Sequence, residues 1–423
     1  MKYDYDILIV GAGIVGTTLA LALSHLPLRV ALIEQSPFNT ADSISTSESK
    51  PIALNYASVR ILQALLPGIN LSVYANPIET VHISEQGCFA AARITAKAMA
   101  VSALGYVIPA AQLGQILINA LLQLDKTTKQ LILDIYNPAQ CQSLTKKENT
   151  WQVQLTTNKG EAKMIGARLV IAADGSNSIV RQLLGIAIKK QNEGQMALVT
   201  ALKLTRHHGH TAYQRFTRQG VIATLPLLGN KVGFVWTAPQ PLIEEVQSLT
   251  ESDFLTRVQS LFSYRLGRFL ERGSLGVYPI KSFIAESQAQ PGFILLGNAA
   301  HSLSPIAAQG LNLALQDMAE LADILTKAFH AKKDFMDPSI AQDYLAARLP
   351  LQKQLMGFSE NLGSVFKQKF WPLTFMRNSG LLAFDLVSPF KKNASRRLMG
   401  IHGRLSPLVR GLAYPQEEKY VEI

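Results

Sequence analysis

The feature that most constrains this chain is an apolar run, Ile7-Leu8-Ile9-Val10, that ends in Gly11-Ala12-Gly13-Ile14-Val15-Gly16. A strand feeding a Gly-rich turn and then a helix is the nucleotide-binding unit of a parallel α/β sheet. The first glycines permit a tight turn and close backbone approach to a pyrophosphate, and Gly16 lets helix and strand pack closely. The helix start then offers free N–H groups and a positive dipole end to phosphate. The apolar run from Leu19 to Leu23 keeps helical period, and a second strand, Arg29-Val30-Ala31-Leu32-Ile33, ends in Glu34. Glu34 falls 18 residues after Gly16, where a carboxylate can accept hydrogen bonds from a ribose. The uncharged stretch from Ile7 to Leu23 raises the question of a signal peptide or membrane span. Its fingerprint glycines, the preceding Asp4 and Asp6, and the lack of a small-residue cleavage site make it the first strand and helix instead.

Two further segments lie far along the chain. Leu169-Val170-Ile171-Ala172-Ala173 reads as a buried parallel strand ended by Asp174-Gly175, with Ser178 and Arg181 opening the next helix. Gly292-Phe293-Ile294-Leu295-Leu296 reads as another strand. It runs into Gly297-Asn298-Ala299-Ala300-His301-Ser302-Leu303-Ser304-Pro305, and Gln309-Gly310-Leu311-Asn312-Leu313 follows. Three motifs this far apart, in this order, resemble the class A FAD-dependent aromatic hydroxylases, and within them the ubiquinone-biosynthesis hydroxylases. The likeness continues through Ala212-Tyr213-Gln214-Arg215-Phe216, Thr224-Leu225-Pro226-Leu227 and Tyr278-Pro279-Ile280, and so covers almost the whole chain.

The resemblance implies an α/β fold: a Rossmann-like FAD-binding domain, a β-sheet substrate domain and C-terminal helices, like p-hydroxybenzoate hydroxylase. It implies FAD as cofactor, with NAD(P)H or another electron donor and molecular oxygen. The implied substrate is a polyprenylphenol, best matched by 2-polyprenyl-6-methoxyphenol, and other ubiquinone-biosynthesis proteins are implied partners. Residue by residue, it places Gly11, Ala12, Gly13 and Gly16 at the pyrophosphate, Glu34 at the ribose and Asp174 beside the pyrophosphate. Asp174 also suits a helix N-cap. Asn298 falls where the family usually has an Asp that binds the ribityl chain. Asn keeps an acceptor, loses the charge and adds two donors. Pro305 would line the isoalloxazine. The backbone N–H groups of Gly310, Leu311 and Asn312 would open a helix under the flavin's pyrimidine edge and stabilise negative charge there. The family's Gly-Gln-Gly stands here as Ala308-Gln309-Gly310. Lys50, ahead of Pro51-Ile52-Ala53-Leu54, stands where relatives often carry Arg, and is expected to contact FAD without a bidentate fork.

Composition sets the frame around these motifs. A chain of 423 residues, 48% of them hydrophobic, can bury a large core and suggests two or three domains. β-rich runs such as Met196 to Leu202, and a hairpin signal at Gly229-Asn230, interrupt the mixed α/β pattern. The FAD-binding domain is therefore expected to be discontinuous, from 1–75, 100–185 and 277–345. A substrate domain would come from 76–99 and 186–276, and residues 346–423 would form a helical, membrane-facing region broken at Pro372, Pro389 and Pro407. The net charge of +11 is concentrated there. Residues 361–410 hold nine Lys and Arg against Asp385 alone, interleaved with Phe366, Phe370, Trp371, Phe375, Phe384 and Phe390. That pattern suggests an anionic membrane surface, and hence a cytoplasmic protein peripheral on the inner face of the membrane. No nucleic-acid motif accompanies the charge.

Other chemistries find less support. Cys88 and Cys141 form no CxxC and argue for a reducing compartment without disulfides. His207, His208 and His210 lack a carboxylate or Cys at ligand spacing and read as a surface cluster rather than a metal site. There is no nucleophile elbow and no HExxH, and no general base is identifiable. His301 could pack, cap a helix or move a proton. Rival readings are a sister hydroxylase acting at another ring carbon, an FAD-dependent isoprenoid reductase, and a flavin-binding scaffold subunit.

Overall fold

The strand Tyr5–Val10 lies inside an eight-stranded sheet, parallel to Ala162–Ala172 on one side and Arg29–Ile33 on the other. Parallel pairing continues outward to Phe293–Leu295 and Ile132–Tyr136. A strand buried on both faces reads as a continuous apolar run, which is why Ile7, Leu8 and Ile9 are all fully buried. Successive side chains serve opposite layers. Ile7 and Ile9 pack with the helices Ile14–Ala22, Ala110–Thr127 and Gly310–His330. Leu8 and Val10 pack with Trp151, Val153 and Phe293 under the antiparallel strands Ala139–Lys147 and Thr150–Thr157. The computed structural model describes residues 3–38, 50–88, 90–127, 131–158, 160–191, 194–304, 309–367 and 388–414.

A second eight-stranded sheet is built mainly on Gln195–Leu204, Thr211–Thr217, Gly220–Pro226 and Lys231–Pro239. The hairpin signal is realised: Pro226 pairs with Val232 across a turn in which Gly229 takes φ +71°. Thr80–Glu85 joins this sheet parallel to Thr211–Thr217, and Ala91–Thr95 extends it. Gly276–Pro279 pairs with Gln195–Leu204, so this sheet continues past residue 276. Its core is Phe234, Trp236, Phe254 and Phe262, closed by the helices Gln240–Gln247 and Glu251–Phe262. A small antiparallel sheet of Pro51–Asn55, Gly105–Pro109 and Asn76–Ile78 completes this part of the fold.

The helix Pro338–Lys367 packs along Gly310–His330 and contains Pro350. Pro389 does not break a helix. It is the second residue of Ser388–Leu398, where a missing N–H has no intrahelical partner to lose. Pro372 lies outside the described residues. No helix among those described is long and apolar enough to cross a membrane.

Candidate FAD site

The three motifs meet at one edge of the first sheet, where its parallel strands present their carboxyl ends. Val10 pairs with Ala172 and Ala172 with Leu295, so the turns after Tyr5–Val10, Ala162–Ala172 and Phe293–Leu295 stand side by side. Ala173 donates its N–H to Val10 O at 2.7 Å, and Leu296 donates to Ala172 O at 2.9 Å.

Each glycine of the first turn has a different neighbour. Gly11 sits at φ +101°, and a Cβ there would lie 2.6 Å from Ala173 O and 2.8 Å from Asp174 Cα. Gly16 has no room for a Cβ against Gly11 O, so the helix rides directly on the turn. Around Gly13, beyond its own chain neighbours, no atom of the described residues lies within 4 Å of where a Cβ would stand. Gly13 is the N-cap of Ile14–Ala22, at φ −69°, with no side chain bonded to the helix start. Open space at an uncapped helix N-terminus is what a pyrophosphate needs. Glu34 accepts from Ala12 N–H at 2.8 Å and from Ser36 N–H at 2.9 Å, which fixes its carboxylate beside the turn. Each oxygen keeps a further lone pair for a ribose hydroxyl.

Asp174 is not the N-cap of Ile179–Leu183. That cap is Ser178, whose hydroxyl accepts from Arg181 N–H at 3.0 Å. Asp174 Oδ2 accepts from Val180 N–H at 3.2 Å, while Oδ1 is buried with no hydrogen-bond partner among the described residues. Burial pushes the Asp174 carboxyl above its ordinary pKa. An unsatisfied acceptor beside Gly11 suits a ligand hydroxyl or water.

Arg181 was visible only as part of a motif, yet it joins two of the three turns. It is buried, and its Nη1 donates to Ala299 O and its Nη2 to Ser176 O, both at 2.8 Å. Its guanidinium also lies 4.8 Å from the Phe283 ring centroid.

In the third segment, Gly297 takes φ +60° and packs on Val15 and Ala314. Asn298 is exposed and bonds to none of the described residues. That leaves its amide free for a polyol chain. Asn298→Leu is expected to weaken FAD binding by about 1–3 kcal/mol, and Asn298→Asp to be tolerated. Flavin fluorescence titration checks this, and unchanged affinity in the Leu variant would remove Asn298 from the site.

Gly310–His330 begins after Gln309 with no side-chain cap and no acidic residue in its first turn, so its N–H groups remain available. The Asn312 side chain has a role beside that expected of its backbone N–H. Its side chain is buried, accepting from Asn55 N–H and Ser58 Oγ at 2.8 Å and donating to Ala53 O at 2.9 Å. Its side-chain amide ties the helix start to the segment after Lys50. Lys50 places Nζ 5.6 Å from the Tyr278 ring centroid. Pro305 and Ala308 lie outside the described residues.

His301 is fully buried and bonds through Nε2 to Asp317 Oδ2 at 2.6 Å. Arg348 Nε reaches Asp317 Oδ1 at 2.5 Å, and Gln352 Nε2 donates to Oδ2 at 2.9 Å. Burial alone would raise the Asp317 carboxyl, but Arg348 and then His301 bring it net below the usual carboxylate range. This network was not foreseen, although an acid on the buried stripe of an apolar helix is a signal. The histidine run is less superficial than expected: His208 is buried, its Nε2 2.8 Å from Leu227 O. Burial pushes the Cys141 thiol up to about 12, and neither cysteine is in a disulfide.

Residues 4–359 match the FAD-binding domain family. The chain belongs to that family. It is 30% identical to an uncharacterised Synechocystis protein over 96% of both chains. It is 28% identical to the 3-demethoxyubiquinol 3-hydroxylase of Escherichia coli, over 94% of this chain and 98% of the relative. Among solved structures, the p-nitrophenol 4-monooxygenase PnpA of Pseudomonas putida superposes with a TM-score of 0.76 at 15% identity, covering 96% of this chain and 100% of PnpA. The fold is that of the FAD-dependent aromatic hydroxylases. FAD is the cofactor of this flavin monooxygenase, and the open, uncapped Gly13 and the unpartnered Asp174 Oδ1 fit it.

Proposed function

We propose that this protein hydroxylates the ring of a polyprenylated phenol in ubiquinone biosynthesis, with 2-polyprenyl-6-methoxyphenol as its substrate. The observation that carries the reading is the likeness to a 3-demethoxyubiquinol 3-hydroxylase across 94% of the chain. The reduced flavin, when bound, activates O₂ for transfer to an electron-rich ring. The chain's own part is to bind and orient. Gly13 and Glu34 hold the dinucleotide, and Asn298 holds the ribityl chain. The helix start at Gly310 lends positive potential where negative charge gathers. A second reading, a demethoxyubiquinol as substrate, follows from the activity for which the Escherichia coli relative is named. Product analysis after incubation with O₂, an electron donor and each candidate ring separates the two. No substrate-dependent O₂ uptake with either would overturn both.

We also place the protein peripherally on an anionic membrane surface, since a polyprenyl tail stays in lipid. Lys392, Arg396 and Arg397 on the helix Ser388–Leu398 are exposed, while Ser395 and Met399 face inward. Each exposed cation contributes about 1 kcal/mol at such a surface. Replacing Lys391, Lys392, Arg396 and Arg397 with Gln is expected to weaken anionic-liposome binding. Turnover of long-chain substrate should slow while a short, soluble analogue is spared. Equal liposome binding by parent and variant would leave this helix as a solvated face.

A further inference from the structure

The resemblance gives the start of Gly310–His330 a place under the flavin, but it assigns nothing to the buried charges seven residues further in. Asp317 lies about 10 Å along the helix from Gly310. Its carboxylate is gripped from both sides: by His301, from the strand directly after Gly297–Ala299, and by Arg348 and Gln352 of the neighbouring helix. All four side chains are buried. With the carboxylate ionised, His301 Nε2 carries the shared proton. Arg348 and Gln352 are one helical turn apart on one face, so they fix the carboxylate's rotation as well as its charge.

The geometry has a mechanical consequence. Asn298 belongs to the turn before His301, and the flavin-facing N–H groups belong to the helix that carries Asp317. Within the third motif, the His301–Asp317 bond and the close approach of Gly297–Ala299 to the helix span these two pieces. Interdigitated apolar contacts resist gross sliding, and Asn312 ties the helix start to the segment after Lys50, but individually weak dispersion contacts discriminate poorly between sub-ångström shifts. A charged hydrogen bond tolerates little such movement, since it weakens steeply with distance and angle. We propose that Asp317 is a positioning residue for the flavin: through His301 it sets the axial register of Gly310–His330 against the Asn298 turn, and Arg348 and Gln352 lock it. This rests on the FAD site described above and adds the control of its geometry.

The test separates register from stability. Asp317→Leu combined with Arg348→Met removes the ion pair while keeping apolar volume, a class of exchange that is often neutral for folding. His301→Phe removes the bond and leaves the Asp317–Arg348 pair. For each variant, flavin-free melting temperature, FAD affinity, the visible flavin spectrum and the midpoint potential are measured. The expected result is a melting temperature near the parent's, about tenfold weaker FAD binding and an altered spectrum. Reduced flavin should lose about tenfold more affinity than oxidised flavin, which lowers a two-electron midpoint by about 30 mV. Parent-like affinity, spectrum and potential in both variants would overturn the proposal. So would a fall in affinity that merely tracks a fall in melting temperature, or failure of both variants to fold, since either makes the network a folding element only. A parent chain that took up no FAD would fail the site assignment itself, a different outcome from any contrast between parent and variants.

Discussion

Gly13→Val is expected to leave the chain folded and to strip it of FAD. The two halves of that result come from different measurements on one residue. Gly13 has φ −69°, which valine adopts without strain, and beyond its chain neighbours an added Cβ meets no atom of the described residues within 4 Å. A branched side chain therefore costs the fold only what a poor N-cap costs, about 1 kcal/mol. The same side chain fills the space that the pyrophosphate needs and shields the N–H groups of the helix start. A loss of roughly 100-fold or more in FAD affinity is expected, or about 3 kcal/mol. Gly16→Ala is the contrasting control, because its Cβ would run into Gly11 O and force the turn from the helix whether or not flavin is present. Flavin absorbance after gel filtration, read beside circular dichroism, decides the matter. A Gly13→Val protein that keeps full flavin absorbance would remove this turn from the site.

The readings that proved legible in sequence were those in which a short local pattern carries the whole physical requirement. A strand buried on both faces must be apolar throughout, and a turn at φ +101° against Ala173 requires glycine, so Ile7 to Gly16 could be read without its partners. The hairpin at Gly229-Asn230 is of the same kind. What was not legible depends on contacts between residues far apart in the chain. The Asn312 side chain binds residues 254 to 259 positions away, so its neighbours in the motif could not reveal that its amide holds Asn55 and Ser58. Local spacing made Asp174 a cap; Ser178 stands one residue before the helix as its N-cap, and Asp174 shares the task by accepting from Val180 N–H. Arg181 read as a helix-opening cation, whereas it is buried and reaches Ala299 118 positions away.

Asp317→Asn should be the most destabilising single change in this region, by about 3–5 kcal/mol, because it removes the carboxylate bonded to the buried Arg348 guanidinium and leaves, among the described residues, only the unbonded Glu320 near it. The size follows from the asymmetry of buried pairs: an intact pair contributes little net, whereas half a pair leaves a charge that neither water nor protein neutralises. The pH dependence gives an independent check. The Asp317 carboxyl titrates below its ordinary value in the folded chain, so its contribution is fully present above its unfolded pKa, near 3.9. That contribution is lost as pH falls through the lower folded value. The asparagine variant has no such group. The stability gap between parent and variant should therefore be constant from about pH 5 upward and narrow as the solution is acidified below about pH 4. Urea unfolding midpoints across that range measure it. A gap that stays constant down to pH 2 would mean that Asp317 does not carry the charge holding Arg348. A gap below about 1 kcal/mol at neutral pH would mean that water reaches the guanidinium once the carboxylate is gone.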